Sequence, residues 1–178
     1  CFSKYIPETL LKYHFDPREN PRETHLLCAL KWGETGRIWS HWVRNYSFHA
    51  ERYFLRNIFE GRRSSHVNCY ITWYLSWSPC AHCCDEIQQF LERHPYVSID
   101  IRVARLFRFK NEEVRECLID LCYLDNISVL ASFSPDYIYC WNKFIRGNAV
   151  DDTWTVGFEP HISMYRSLLR RAFKVSRS

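Results

Sequence analysis

Residues 69–107 read CYITWYLSWSPCAHCCDEIQQFLERHPYVSIDIRVARLF, and the hydrophobic period changes twice within them. Residues 69–76 are β-branched and aromatic, the composition of a strand. Pro79 stands where a helix can begin. At about 100° per residue, Cys80, Cys83, Cys84, Ile87, Phe90 and Leu91 fall on one stripe, so a helix is predicted to about Arg93. From 97 to 107 the period becomes two: Val97, Ile99, Ile101 and Val103 alternate with polar partners, the clearest strand of the chain. Strands alternating with helices of this length imply an α/β layer structure, in which helices cover a sheet whose later strands run parallel.

The flanking sequence extends the pattern. A short helix is expected over 7–13, with Leu10, Leu11 and Tyr13 on one side, then the Pro- and charge-rich loop HFDPRENPRE over 14–23. Residues 26–32 and 37–43 read as a hairpin turning at Gly33 and Gly36. Over 49–60, Ala50, Phe54, Leu55 and Ile58 form a helical stripe that Gly61 stops. A helix over 112–123, a strand over 127–131 and helices over 135–145 and 161–173 complete the chain. Neither a repeat nor a linker divides it, so residues 1–178 are read as one domain. A chain opening on Cys1 is expected to lack an N-terminal portion.

Composition narrows the function classes. Nine scattered cysteines do not form a secreted disulfide framework, and no apolar run approaches a membrane span. Reduced thiols, a cytoplasmic or nuclear location and no membrane partner are the expectation. The net charge of +4 permits a polyanionic partner. After Glu159 come Arg166, Arg170, Arg171, Lys174 and Arg177 without an acid among them, a basic segment suited either to solvent or to nucleic acid.

The helix beginning near Pro79 carries the chemistry. Its N-terminus favours thiolates, and Cys80 can pair at one point with Cys83 or with Cys84; periodicity does not choose between them, while His82 faces away. Two sulfurs do not make a metal site. A third donor comes from His49, at the start of an earlier helix, provided the two helix N-termini converge. Three protein ligands with one open position are the coordination of a catalytic zinc. Glu51 falls on the stripe assigned to the core, where a carboxylate needs a reason: proton transfer, or an ion pair with Arg52 or Arg105. His66-Val67-Asn68 repeats the spacing of His49-Ala50-Glu51, with an amide where a proton carrier is needed, and is set aside.

His49-Ala50-Glu51 with Pro79-Cys80-Ala81-His82-Cys83 matches the H-x-E and P-C-x-x-C signature of zinc nucleobase deaminases. Together with ITWYLSWSPC (71–80), VARLF (103–107) and YCWNKF (139–144), it makes the chain resemble the AID/APOBEC polynucleotide cytidine deaminases from Tyr13 onward. FDPRE (15–19), KWG (31–33) and FLERHP (90–95) are most similar to the messenger-RNA-editing branch of that family. The resemblance implies a cytidine-deaminase-like three-layer αβα fold, with a five-stranded mixed sheet flanked by about six helices. It implies one zinc ion per chain on His49, Cys80 and Cys83, Glu51 as proton shuttle, and no ligand role for Cys84. Thr24 would contact the target base, Trp77 and Ser78 would line its pocket, and Phe107 would stand against it. Arg108 occupies a position where several relatives carry an acid that selects the 5′ neighbour. Asn45 is left out, because the loop before His49 cannot be registered. The activity implied is hydrolytic deamination of cytosine to uracil in single-stranded DNA or RNA. Arg18, Arg22 and the basic C-terminal segment are candidates for backbone contacts, and an RNA-binding accessory protein is a possible partner. Two alternatives stand beside this reading: a deaminase of free nucleosides, and a zinc-stabilised single-strand-binding protein without turnover.

Overall fold

The computed structural model describes residues 2–45, 48–59, 67–147, 151 and 153–176. The strands are β1 (Phe2–Ser3), β2 (His25–Trp32), β3 (Trp39–Arg44), β4 (Cys69–Leu75), β5 (Val97–Val103) and β6 (Ile127–Ala131). They form a single sheet in the order β1-β3-β2-β4-β5-β6. Pairing is antiparallel from β1 to β4 and parallel from β4 through β5 to β6. This is the five-stranded mixed sheet expected, extended at its edge by the two-residue β1. The helices are α1 (Glu8–Phe15), α2 (Ala50–Tyr53), α3 (Ala81–Arg93), α4 (Glu112–Leu121), α5 (Ser134–Phe144) and α6 (Glu159–Val175).

The period-two pattern of β5 explains the layering. Val97, Ile99, Ile101 and Val103 point into the main core, joined there by the odd-numbered residues of β4 and β6. Phe54, Ile87, Leu118 and Leu169, from α2's continuation, α3, α4 and α6, cover that face. A second core on the opposite face joins Leu11 and Phe15 of α1, Leu27, Tyr74 and the apolar face of α5 with Trp154, Phe158 and Ile162. This second layer is incomplete, and it leaves Tyr70 and Leu130 exposed.

Two local departures from the expected elements have physical causes. The helix predicted over 49–60 is α-helical only from Ala50 to Tyr53 and continues as a π turn, Phe54–Ile58, closed by Phe59 N–H donating to the Phe54 carbonyl at 3.0 Å. Phe54, Leu55, Ile58 and Phe59 all reach the core, the expected stripe with Phe59 added, so the hydrophobic pattern carries no sign of the wider turn. The strand predicted over 97–107 ends at Val103, because its parallel partner β6 ends opposite it at Ala131. Ala104, Arg105 and Leu106 are then buried consecutively, outside the sheet alternation.

Ile101 has no exposed surface and stands in register between Trp73 and Val129. Ile101→Ala is expected to lower stability by about 2–5 kcal/mol through lost burial and a residual cavity. The effect is read as a lower urea midpoint at unchanged slope.

Candidate active site

Strand direction brings the candidate residues together. β3 and β4 are both antiparallel to β2, so they run the same way and end at the same end of the sheet. α2 and α3 begin at that end, and their N-termini meet. His49 Nδ1 lies 3.2 Å from Cys83 Sγ and 3.4 Å from Cys80 Sγ. The three ligand atoms all fall within 4.8 Å of one another, a group able to hold a metal ion. One imidazole and two sulfurs are a borderline-soft donor set, which suits zinc and leaves room for a non-protein ligand. Cys84 turns its sulfur toward the Pro79 carbonyl at 3.9 Å, away from this group, and His82 is exposed.

The electrostatics follow from helix geometry. Cys80 is the N-cap of α3, and no side chain caps the helix there. Hydrogen bonding from the Cys83 thiol, assisted by the Cys83 backbone N–H and by His49, lowers the Cys80 thiol to about 5. The same shared hydrogen bond, with burial, raises Cys83. Glu51 is buried, with Oε2 3.8 Å from Cys83 Sγ, and burial raises its carboxyl to about 7. The ion-pair explanation for Glu51 finds its cations engaged elsewhere. Arg52 pairs with Glu86 at 2.9 Å, and Arg105 bonds backbone carbonyls.

A wall of half-buried rings stands on the segments after β4 and β5, with Trp77 three residues before Cys80. Trp77 and Phe107 meet edge to face with centroids 6.3 Å apart. Ser78 fixes them: its Oγ accepts from the Phe107 N–H at 2.7 Å, and its own N–H donates to the Arg105 carbonyl at 2.9 Å. The Trp77 indole N–H donates to the Pro21 carbonyl at 3.0 Å, which sets the exposed Arg22 beside the wall. Thr24 is half-buried just before β2. Arg108 is exposed, its guanidinium 5.2 Å from the Phe107 ring centroid, and it adopts a left-handed backbone (φ 42°). Arg18 is taken up by Asp16 and so holds its own loop. Arg166 and Arg170 are exposed on α6, while His66 and Arg177 lie outside the described residues.

Two residues without a place in the site expected from sequence belong to this end of the sheet. Asn45 donates its backbone N–H to the Thr24 carbonyl at 2.9 Å, continuing the β2–β3 register, so a hairpin register carried one residue further finds it. Arg105 is fully buried, with its guanidinium 4.5 Å from the Trp77 ring centroid. It continues the inward series 97, 99, 101, 103, where a cation is conspicuous.

A mixed sheet in this order, with an imidazole and two cysteine sulfurs meeting at paired helix N-termini, defines a protein of the cytidine-deaminase-like class. The family model described as APOBEC4-like AID/APOBEC deaminase matches residues 14–147. The C->U-editing enzyme APOBEC-1 of Mus musculus is 39% identical over 133 residues, covering 74% of this chain and 58% of that protein. The Homo sapiens C->U-editing enzyme APOBEC-1 is 38% identical over 134 residues, covering 74% and 56%. The DNA dC->dU-editing enzyme APOBEC-3G of Papio anubis is 35% identical over 104 residues, covering 56% and 27%. The chain belongs to the AID/APOBEC deaminase family, and it spans little more than half the length of the APOBEC-1 relatives it matches.

Cys83→Ser is expected to lose bound zinc, whereas Cys84→Ser keeps about one equivalent per chain because its sulfur lies outside the cluster. Metal analysis of the purified variants checks this, and equal loss in both would overturn the division between the two sulfurs.

Proposed function

We propose that this chain hydrolyses cytosine to uracil within single-stranded DNA or RNA, with zinc held by His49, Cys80 and Cys83. The observation that carries the reading is the buried carboxylate of Glu51 beside that ligand cluster, where none of the ion pairs found among the described residues includes it. When bound, zinc supplies a Lewis acid that brings water into the hydroxide range near neutral pH. Glu51 accepts the proton of the attacking water, whose oxygen forms a bond to C4 of the base. Glu51 passes that proton to ring N3, then takes the second proton from the new C4 hydroxyl and gives it to the exocyclic amine; the C4 carbonyl forms as the C4–N bond breaks, and ammonia leaves. Water and cytosine go in; uracil and ammonia come out.

The remaining side chains bind and orient. Trp77 and Phe107 offer an edge-to-face pair against which an unstacked base can be held, with Ser78 locking both. Thr24 and Asn45, joined across the hairpin end, stand by as polar contacts. The exposed cations Arg22 and Arg108 suit phosphates on either side of the target nucleotide. Half-open aromatics and flanking cations favour a strand over a free nucleoside, and the names of the APOBEC-1 and APOBEC-3G relatives, editing enzymes all, support the same choice.

The test compares wild type with Glu51→Gln on matched DNA and RNA oligonucleotides and on free cytidine, with products sequenced or separated. Glu51→Gln is expected to lose turnover by about 100-fold or more while retaining zinc and strand binding. Turnover of cytidine alone would overturn the polynucleotide assignment. Strand binding without uracil in the wild type would leave a binding protein instead of an enzyme.

A further inference from the structure

A second group of metal-competent side chains lies on the chain leading into β2. His14, at the end of α1, Glu23, and His25, the first residue of β2, bring their ligand atoms within 4.8 Å of one another. The two imidazoles lie with centroids 3.8 Å apart and are 6% and 1% exposed. Among the described residues, His14 Nδ1 and His25 Nε2 are both buried without a hydrogen-bond partner, and the half-exposed Glu23 carboxylate approaches His25 Nε2 at 3.6 Å. Two buried imidazole nitrogens lacking partners beside one carboxylate are costly as plain packing and complete as a ligand set.

We propose that His14, Glu23 and His25 form a second divalent-cation site of the zinc class, separate from the His49, Cys80 and Cys83 cluster. Its donors are two nitrogens and one oxygen, a set that zinc and cobalt accept with water completing the shell. The site closes the loop between α1 and β2, the loop whose Pro21 carbonyl holds Trp77 and which ends at Thr24. A cation there acts as a clip on the pocket wall and takes no part in bond breaking.

Two features set its strength. Trp42 Nε1–H donates to His25 Nδ1 at 3.0 Å, which keeps the His25 proton on Nε2. A cation on Nε2 moves that proton to Nδ1, so the indole must turn away. Arg44 and Arg105 also lie close enough to disfavour positive charge at His25, and Glu23 is the one anion of the set. The second cation therefore binds more weakly than one held by two thiolates.

Cobalt titration of the zinc-loaded full chain tests this, because cobalt on nitrogen and oxygen shows visible ligand-field bands without thiolate charge transfer. One further equivalent with that signature is expected. Glu23→Gln, which alters an exposed side chain, and His14→Phe, which keeps a ring in the stack, should each weaken it about 10–100-fold. Trp42→Phe should tighten it about fivefold by removing the competing hydrogen bond. No second equivalent in the wild type, or one that survives both Glu23→Gln and His14→Phe, would overturn the site; so would thiolate charge transfer on the added cobalt. Unchanged affinity in Trp42→Phe would overturn the tautomer exchange. None of these readouts depends on deaminase activity, so failure here leaves the proposed reaction untouched.

Discussion

The guanidinium of Arg105 has no exposed surface, and the cleft is assembled around it. Burying a cation costs several kcal/mol unless its donors are satisfied. Here the partners are neutral: the backbone carbonyls of His14 and Asp16, the latter at 2.6 Å, take two of its nitrogens and the face of Trp77 lies against it, while Nε has no hydrogen-bond partner among the described residues. Burial lowers the group only to about 10, so it stays charged at neutral pH. Its own carbonyl receives the Ser78 N–H. One residue thus joins the end of α1, the segment after β4 and the segment after β5. The two segments after the strands are not regular structure that could hold itself in place, and the rings of the candidate pocket wall, Trp77 and Phe107, come from them.

Much of the fold was legible because periodicity and burial agree. The alternation of β5, the stripe of α3 and the short β6 reported their own environments, and the βαβ connection then required parallel strands. The sequence was less informative where an element stops for a tertiary reason. β5 ends where β6 runs out of residues, a limit written in a different part of the chain. The π turn of α2 was hidden for a different cause: Phe54, Leu55, Ile58 and Phe59 fit the stripe of an ordinary α-helix, so the pattern is the same with or without the wider turn. Only contact with the sheet, including Trp73 edge to face with Phe54 at 5.3 Å, distinguishes the two.

The candidate site divides in the same way. His49, Glu51, Cys80 and Cys83 could be picked out because their types and spacings carry chemistry, although helical geometry alone kept Cys84 eligible. The structure separates the two sulfurs by direction, one toward His49 and one toward the Pro79 carbonyl. Arg105 and Asn45 were illegible for opposite reasons. Arg105 was weighed only as one of two alternative ion-pair partners for Glu51; its partners are carbonyls, and backbone atoms leave no mark in sequence. Asn45 needed a hairpin register that Gly33 and Gly36 do not specify to the residue. The pair His14 and His25 is separated by a loop and meets only in three dimensions.

Glu51 shows how stability and chemistry meet in this architecture. The π turn that follows α2 drives two aromatic and two aliphatic side chains into the main core, and in doing so it draws the first turn of the helix down with them. Glu51, three residues before Phe54, is carried below the surface whether or not a carboxylate is welcome there. An amide or an apolar residue would fit that environment at lower cost. The local packing therefore does not explain the acid, whereas the proposed proton transfer does: burial raises the carboxyl to about 7, and it lies beside the His49, Cys80 and Cys83 cluster. The hydrophobic force that stabilises the domain is thus the force that tunes the acid, and the same helix performs both tasks because its first turn faces the ligands while its second faces the core.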